Sequence, residues 1–121
     1  MSEIAPVPAL LDAACIAEIR QLERKIGRDD LLGGFVHNLE QNLAGFRAAY
    51  CDCVERGDAK GATRATHTLR GSCLQLGARA LGEAFEHIER SAKAGDHAAA
   101  LHAFDRAAGL IFESLEALKR A

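Results

Sequence analysis

Residues 31–53, "LLGGFVHNLEQNLAGFRAAYCDC", carry apolar side chains at Leu32, Phe35, Val36, Leu39, Leu43, Phe46, Tyr50 and Cys53. Apart from the adjacent pair Phe35–Val36 the spacings are three and four, the period of one helix face, and no strand alternation competes with it. A helix of this length needs partners along its whole apolar stripe. The flanking sequence supplies them. Asp12 is placed to cap a first helix with Cys15, Ile19, Leu22 and Ile26 on one face, ended by Gly27. Asp29 or Asp30 starts the long second helix, and Gly57 closes it. A third runs from Asp58 to Leu76 with Gly77 as its stop. A fourth buries Leu81, Ala84, Phe85 and Ile88 and ends near Gly95. Asp96 caps a fifth, whose stripe is Ala98, Leu101, Ala108, Phe112, Leu115 and Leu118.

Connections this short force consecutive helices to pack antiparallel. The expected fold is all-α: an up-and-down antiparallel four-helix bundle with an additional short N-terminal helix, one domain over residues 1–121. The 121 residues are 49% hydrophobic, which suits one domain with a core of its own. The two prolines, Pro6 and Pro8, stand at the start and leave the rest free for helices. The net charge of −2 gives no electrostatic footprint for nucleic acid. Neither a signal peptide nor a membrane span is legible, so a cytoplasmic monomer without a membrane partner is expected. Cys15, Cys51, Cys53 and Cys73 fit no zinc or redox spacing and read as small buried or half-buried side chains.

The third helix holds an anomaly, "ATHTLRGSCLQLGA" at residues 65–78. Its inward stripe is Ala62, Ala65, Leu69, Cys73 and Leu76. At about 100° per residue, His67 lies roughly 170° from the centre of that stripe. Arg70, Gly71 and Leu74 share its side at i+3, i+4 and i+7. A glycine inside a helix costs about 0.5–1 kcal/mol relative to alanine, so a compensating role is expected. Gly71 removes a side chain beside the imidazole and lets another surface approach. Arg70 adds a permanent positive charge suited to a phosphoryl group. Leu74 places an apolar group on the outward side. On the fourth helix, Glu89 is as far after the turn near Ala78 as His67 is before it. The two come level, and the carboxylate is placed to accept a hydrogen bond from one imidazole nitrogen, leaving the other as a nucleophile. His37, His87, His97 and His102 have no such company and read as surface or boundary residues.

At these residues the chain resembles the histidine-containing phosphotransfer (HPt) family, whose signature reads A-H-x-L-K/R-G-x-x-x-x-x-G-a. Here it is "THTLRGSCLQLGA", with Thr66 in place of the common alanine and arginine for the commoner lysine. Downstream, "LGEAFEHIERSAKAGD" resembles the family's L-x-x-x-x-x-x-L-E-x-x-x-x-x-G-D segment, and "LLGGFVHNLEQNL" resembles its preceding leucine-phenylalanine helix. The resemblance implies that His67 is the phospho-accepting residue, Arg70 a phosphate contact, Gly71 the access residue, Gly77 the turn glycine and Glu89 the residue that orients His67. It implies a relay in which His67 carries a phosphoryl group between aspartates of response-regulator or hybrid-kinase receiver domains. The receivers bring the Mg²⁺, and no cofactor or metal of this chain's own is implied. The docking face is expected to include Thr63, Arg64, Leu74 and Gln75. The resemblance adds the neighbourhood of Phe35, Asn38 and Leu39, although periodicity alone places Phe35 and Leu39 in the core.

Rival readings fare worse. A di-iron bundle uses Glu-x-x-His, and the residues three before the five histidines are Gly34, Arg64, Ala84, Ala94 and Ala99. A self-contained kinase needs a phosphate-binding glycine motif, and none is present. The alternative that stands is a docking or adaptor bundle without phosphate chemistry.

Overall fold

The computed structural model describes residues 9–121. The prolines Pro6 and Pro8, and the segment read above for a targeting sequence, lie outside the described residues. Six helices follow in order, with no strand among the described residues: α1 (Ala13–Ile26), α2 (Leu31–Glu55), α3 (Ala59–Leu76), α4 (Arg79–Lys93), α5 (His97–Arg106) and α6 (Ala108–Arg120). The fold is an all-α bundle, as expected, but of six helices rather than four and an N-terminal extra.

The difference lies in the stretch read as one fifth helix. Ala107 has ψ 3°, well off the α-helical value, and its amide reaches back only three residues, to the Phe104 carbonyl at 3.0 Å. The break tucks Ala107 inward and resets the helix face. Ala98, Ala108 and Phe112, expected inside, are exposed, Phe112 by 66%. Leu115 and Leu118 are buried, as expected, and Ala100, outside the expected stripe, is buried too.

Core side chains come from α2 (Leu32, Val36, Leu39, Leu43, Phe46, Tyr50), α3 (Leu69, Cys73, Leu76), α4 (Leu81, Phe85, Ile88) and α6 (Leu115, Leu118). Phe46 is the hub: its ring lies 5.3 Å from Phe85, 4.7 Å from Phe104 and 5.6 Å from Tyr50. The Tyr50 hydroxyl, fully enclosed, bonds His97 Nδ1 at 2.7 Å, so His97 is a satisfied boundary histidine. The cysteines are free. Cys73 is buried and the other three are half-buried, with burial pushing the Cys73 thiol up to about 12.

Caps at Asp12, Asp58 and Asp96 form, each side chain accepting from its helix's first turn. The start of α2 does not follow this pattern. Asp30 sits at the cap position but makes no side-chain cap bond and is engaged by Arg28 at 2.9 Å. The buried carboxylate of Glu23, from α1, accepts from Leu32 N–H at 2.9 Å and is held by Arg20 at 2.8 Å. Facing Glu23 inward turns Leu22 and Ile26 out, 46% and 50% exposed, where the sequence pattern placed them inside. The inward line of α1 is Ile16, Ile19 and Glu23.

The turn between α3 and α4 positions the site. Gly77 adopts φ +86°, the left-handed region. Its carbonyl accepts from Asp12 N–H at 2.8 Å, docking α1 against the turn. A methyl group on Gly77 would stand 3.1 Å from Ile16 Cγ1 and 3.2 Å from the Asp12 carbonyl oxygen. Gly77→Ala is therefore expected to cost about 1–3 kcal/mol through backbone strain and crowding. Urea denaturation reads it directly, and an unchanged midpoint would contradict the account.

Candidate functional site

The core face of α3 fixes where its other face points. Ala62, Leu69 and Cys73 are buried, and Thr66 beside them is fully enclosed, its hydroxyl donating to the Thr63 carbonyl at 2.6 Å. His67, one residue on, is held outward with 61% of its side chain exposed. From Gly77 the chain returns as α4 along α3, bringing Glu89 level with His67. The imidazole Nδ1 and Glu89 Oε2 are 3.1 Å apart. A carboxylate accepts, so the proton belongs on Nδ1, and no described residue bonds Nε2.

Glu89 is an unusual anchor, a carboxylate with 4% of its side chain exposed. Burial pushes its pKa up. The hydrogen bonds from His67 and Lys93 and the charge of Arg70 more than offset this and hold it below the usual value. Oε2 takes Lys93 Nζ at 3.4 Å as well as His67. Oε1 faces Arg70 Nε at 3.4 Å, but the two are out of line for a hydrogen bond, and each is buried with no other partner among the described residues. Arg70 Nη2 lies 3.5 Å from His67 Nδ1. That nitrogen's proton is already directed at Glu89, so Arg70 acts on the ring as a nearby charge. The guanidinium also reaches towards Glu86 at 3.9 Å.

At Gly71 a Cβ would meet nothing within 4 Å, so the space beside the imidazole is open. Among the other expected face residues, Arg64 and Gln75 are exposed and Thr63 is half-buried. Leu74 is 48% exposed, yet its end also rests on α4, where a Cβ at Gly82 would come 2.5 Å from Leu74 Cδ2. Gly82 thus gives Leu74 its seat, a role not read from the sequence. Phe35, placed in the core by periodicity, is 42% exposed, whereas Leu39 is 2% exposed, as periodicity requires. Phe35, Asn38 and Leu39 line one groove with Asn42, Ile19, Ser72, Gln75 and Leu76, between α1, α2 and α3. Of these, Ile19 and Leu76 belong to the inward stripes of the first and third helices in the sequence pattern, and Asn42 and Ser72 stand out in neither. Lys93 was missed, though its i+4 spacing from Glu89 is a legible ion-pair signal.

Among the described residues no helix is long and apolar enough to cross a membrane, and no group of three His, Cys, Asp or Glu side chains is gathered to hold a metal ion. No curated protein and no solved structure gives a significant match to the chain. A family model does: that of the Hpt domain, over residues 30–121, from the start of α2 to the end of α6. The matched span contains the outward histidine, its buried carboxylate partner and the open glycine. The chain accordingly belongs to the Hpt domain family, and its role is that of a histidine phosphotransfer protein in a phosphorelay.

Proposed function

We propose that His67 is the residue that carries the phosphoryl group, on Nε2, and that it exchanges it with aspartates of receiver domains. The observation that carries this reading is the tie between Nδ1 and the buried Glu89 carboxylate at 3.1 Å. It sets the tautomer and leaves the Nε2 lone pair directed outward beside the open position at Gly71.

The transfer needs no proton to move. The Nε2 lone pair attacks phosphorus, the P–O bond to the receiver's aspartate breaks, and its electron pair leaves with the carboxylate. The ring becomes an imidazolium, with Nδ1–H still on Glu89, whose negative charge offsets the new positive one. Onward transfer reverses this: the N–P bond breaks, its pair returns to Nε2, and a second carboxylate takes the phosphoryl group. Arg70 stands where its charge meets the phosphoryl oxygens. The receiver supplies Mg²⁺, which neutralises charge on the group in flight. The groove of Phe35, Asn38 and Asn42 meets α3 at Ser72 and Gln75, further along the helix from His67, and with the exposed Arg64 and Leu74 it fits a docking surface for the receiver.

The test is to phosphorylate the full chain from a panel of phosphorylated receiver domains, then map the label. The expected product is acid-labile, alkali-stable phosphate on the peptide containing His67. Label on a different residue overturns the assignment. No label from donors that phosphorylate another Hpt protein favours a docking or adaptor bundle instead.

A further inference from the structure

Gly82 lies near the start of α4, buried and with a negative φ, so no turn calls for glycine there. Relative to alanine it gives up helix stability. The reason for it lies across the interface with α3. A Cβ at this position would stand 2.5 Å from Leu74 Cδ2 and 2.9 Å from Leu74 Cγ, closer than carbon atoms pack. The next atom, Cys73 Cβ, would be 3.7 Å away, an ordinary contact. The space of the missing methyl group is therefore taken by Leu74. That leucine is 48% exposed and stands two turns beyond His67 on the same side of α3. One edge of it lies into α4 and the other faces outward. The backbone beneath it is pinned by α1: the Cys15 thiol donates to the Gln75 carbonyl at 3.1 Å, and Asp12 N–H to that of Gly77 at 2.8 Å. If the space at Gly82 closes, the leucine side chain moves and the end of α3 stays.

We propose that Gly82 is a positioning residue for receiver docking: buried behind the surface, it sets the height and the rotamer of Leu74 and thereby the affinity for the receiver. The proposal rests on the reading of Leu74 as part of the receiver's docking surface. A leucine already held against a neighbouring helix presents an apolar group with little freedom left to lose, so docking costs less side-chain entropy. Seated low, it also lets a facing apolar surface come down onto α3, where the open position at Gly71 leads to His67. A methyl group at position 82 lifts the leucine tip off α4 and towards the incoming surface, and shape complementarity is lost at that point. The imidazole, two turns away, is not touched. The effect therefore falls on binding and not on the transfer step.

The experiment is a double-mutant cycle of Gly82→Ala and Leu74→Ala in the full chain. It measures transfer from one phosphorylated receiver, the most active donor of the panel, as the concentration of the chain is raised. Gly82→Ala is expected to raise the concentration for half-maximal transfer by about three- to tenfold, the scale of one misplaced apolar contact, at the parental saturated rate. Leu74→Ala is expected to raise it at least as much. Adding Gly82→Ala to Leu74→Ala should change nothing further, because the side chain through which it acts is gone. Parental affinity in Gly82→Ala, with affinity lost in Leu74→Ala, overturns the role of Gly82 and leaves Leu74 on the docking surface. Equal losses from Gly82→Ala with and without Leu74 overturn it too, since the methyl group would then act by another route. Loss of the fold in Gly82→Ala, regained in the double variant, also overturns it: Leu74 would be a core residue with no freedom to be positioned. Parental affinity in Leu74→Ala removes both readings together.

Discussion

Gly71→Gln is expected to give a protein more stable than the parent and nearly inert towards phosphorylated receivers. Both effects come from one position. A Cβ at Gly71 meets no atom within 4 Å, so a longer side chain is accommodated without moving the core. Glycine is a poor residue for a helix interior, and glutamine there gains roughly 0.5 kcal/mol. The midpoint of thermal unfolding should therefore rise slightly. The side chain would occupy the space beside His67, one turn away on the same face, through which a receiver must bring its aspartyl phosphate into line. Since misplacement by an ångström can cost about a hundredfold, transfer should fall by at least roughly that factor. Phosphoramidate, being small, still reaches Nε2, and its reaction should fall far less. Receiver transfer at the parental rate would show that the glycine is not there for access. Equal loss with both donors would mean that the imidazole itself had been disturbed.

The reason such a residue stands out in the sequence is that local rules are otherwise obeyed around it. Periodicity placed the core of α2 and α3 nearly residue for residue, and the counting of positions about the α3–α4 turn brought Glu89 level with His67. These inferences depend on one helix or one short hairpin. What was illegible depends on contacts distant in sequence. Nothing local marks Ala107 as a break, since neither glycine nor proline is there; the bundle's geometry, which turns Phe104 and Leu115 inward together, accounts for it. Glu23 caps a helix other than its own, so the aspartates nearer to α2 looked sufficient. Phe35 satisfies the apolar period of α2 and is nonetheless exposed, because the period gives a wide stripe and only the packing of α1 and α3 decides which edge of it is covered. That edge is where a docking surface and a core pattern look alike.

Glu89→Gln separates orientation from charge at the site. The amide oxygen is isosteric and still accepts from Nδ1–H, so the ring keeps its tautomer and its outward nitrogen. The negative charge is what disappears. With His67 as the proposed carrier, phosphorylation gives the imidazole a positive charge 3.1 Å from that oxygen, in a position closed to water on the carboxylate side. Removing the charge should slow acceptance from a phosphorylated receiver by roughly ten- to a hundredfold, the scale seen when one electrostatic partner of a developing charge is lost. The equilibrium should move towards the receivers' aspartyl phosphates in the same sense, because the carboxylate stabilises the phosphorylated ring and not only the path to it. Stability carries an independent signature. The folded protein holds the Glu89 pKa below its ordinary value of 4.5. The contribution of the ionised group is therefore present above the unfolded carboxylate's pKa and is lost as pH falls through the depressed folded one. In Glu89→Gln that part of the acid-side loss of stability should be missing, while the decline due to other carboxylates remains. Unchanged acceptance, an unchanged equilibrium and a flattened acid limb would together assign Glu89 to orienting the ring alone. A fall in acceptance with the fold intact would identify its charge as part of the transfer, and Glu89→Ala, which removes acceptor and charge together, should then be slower still.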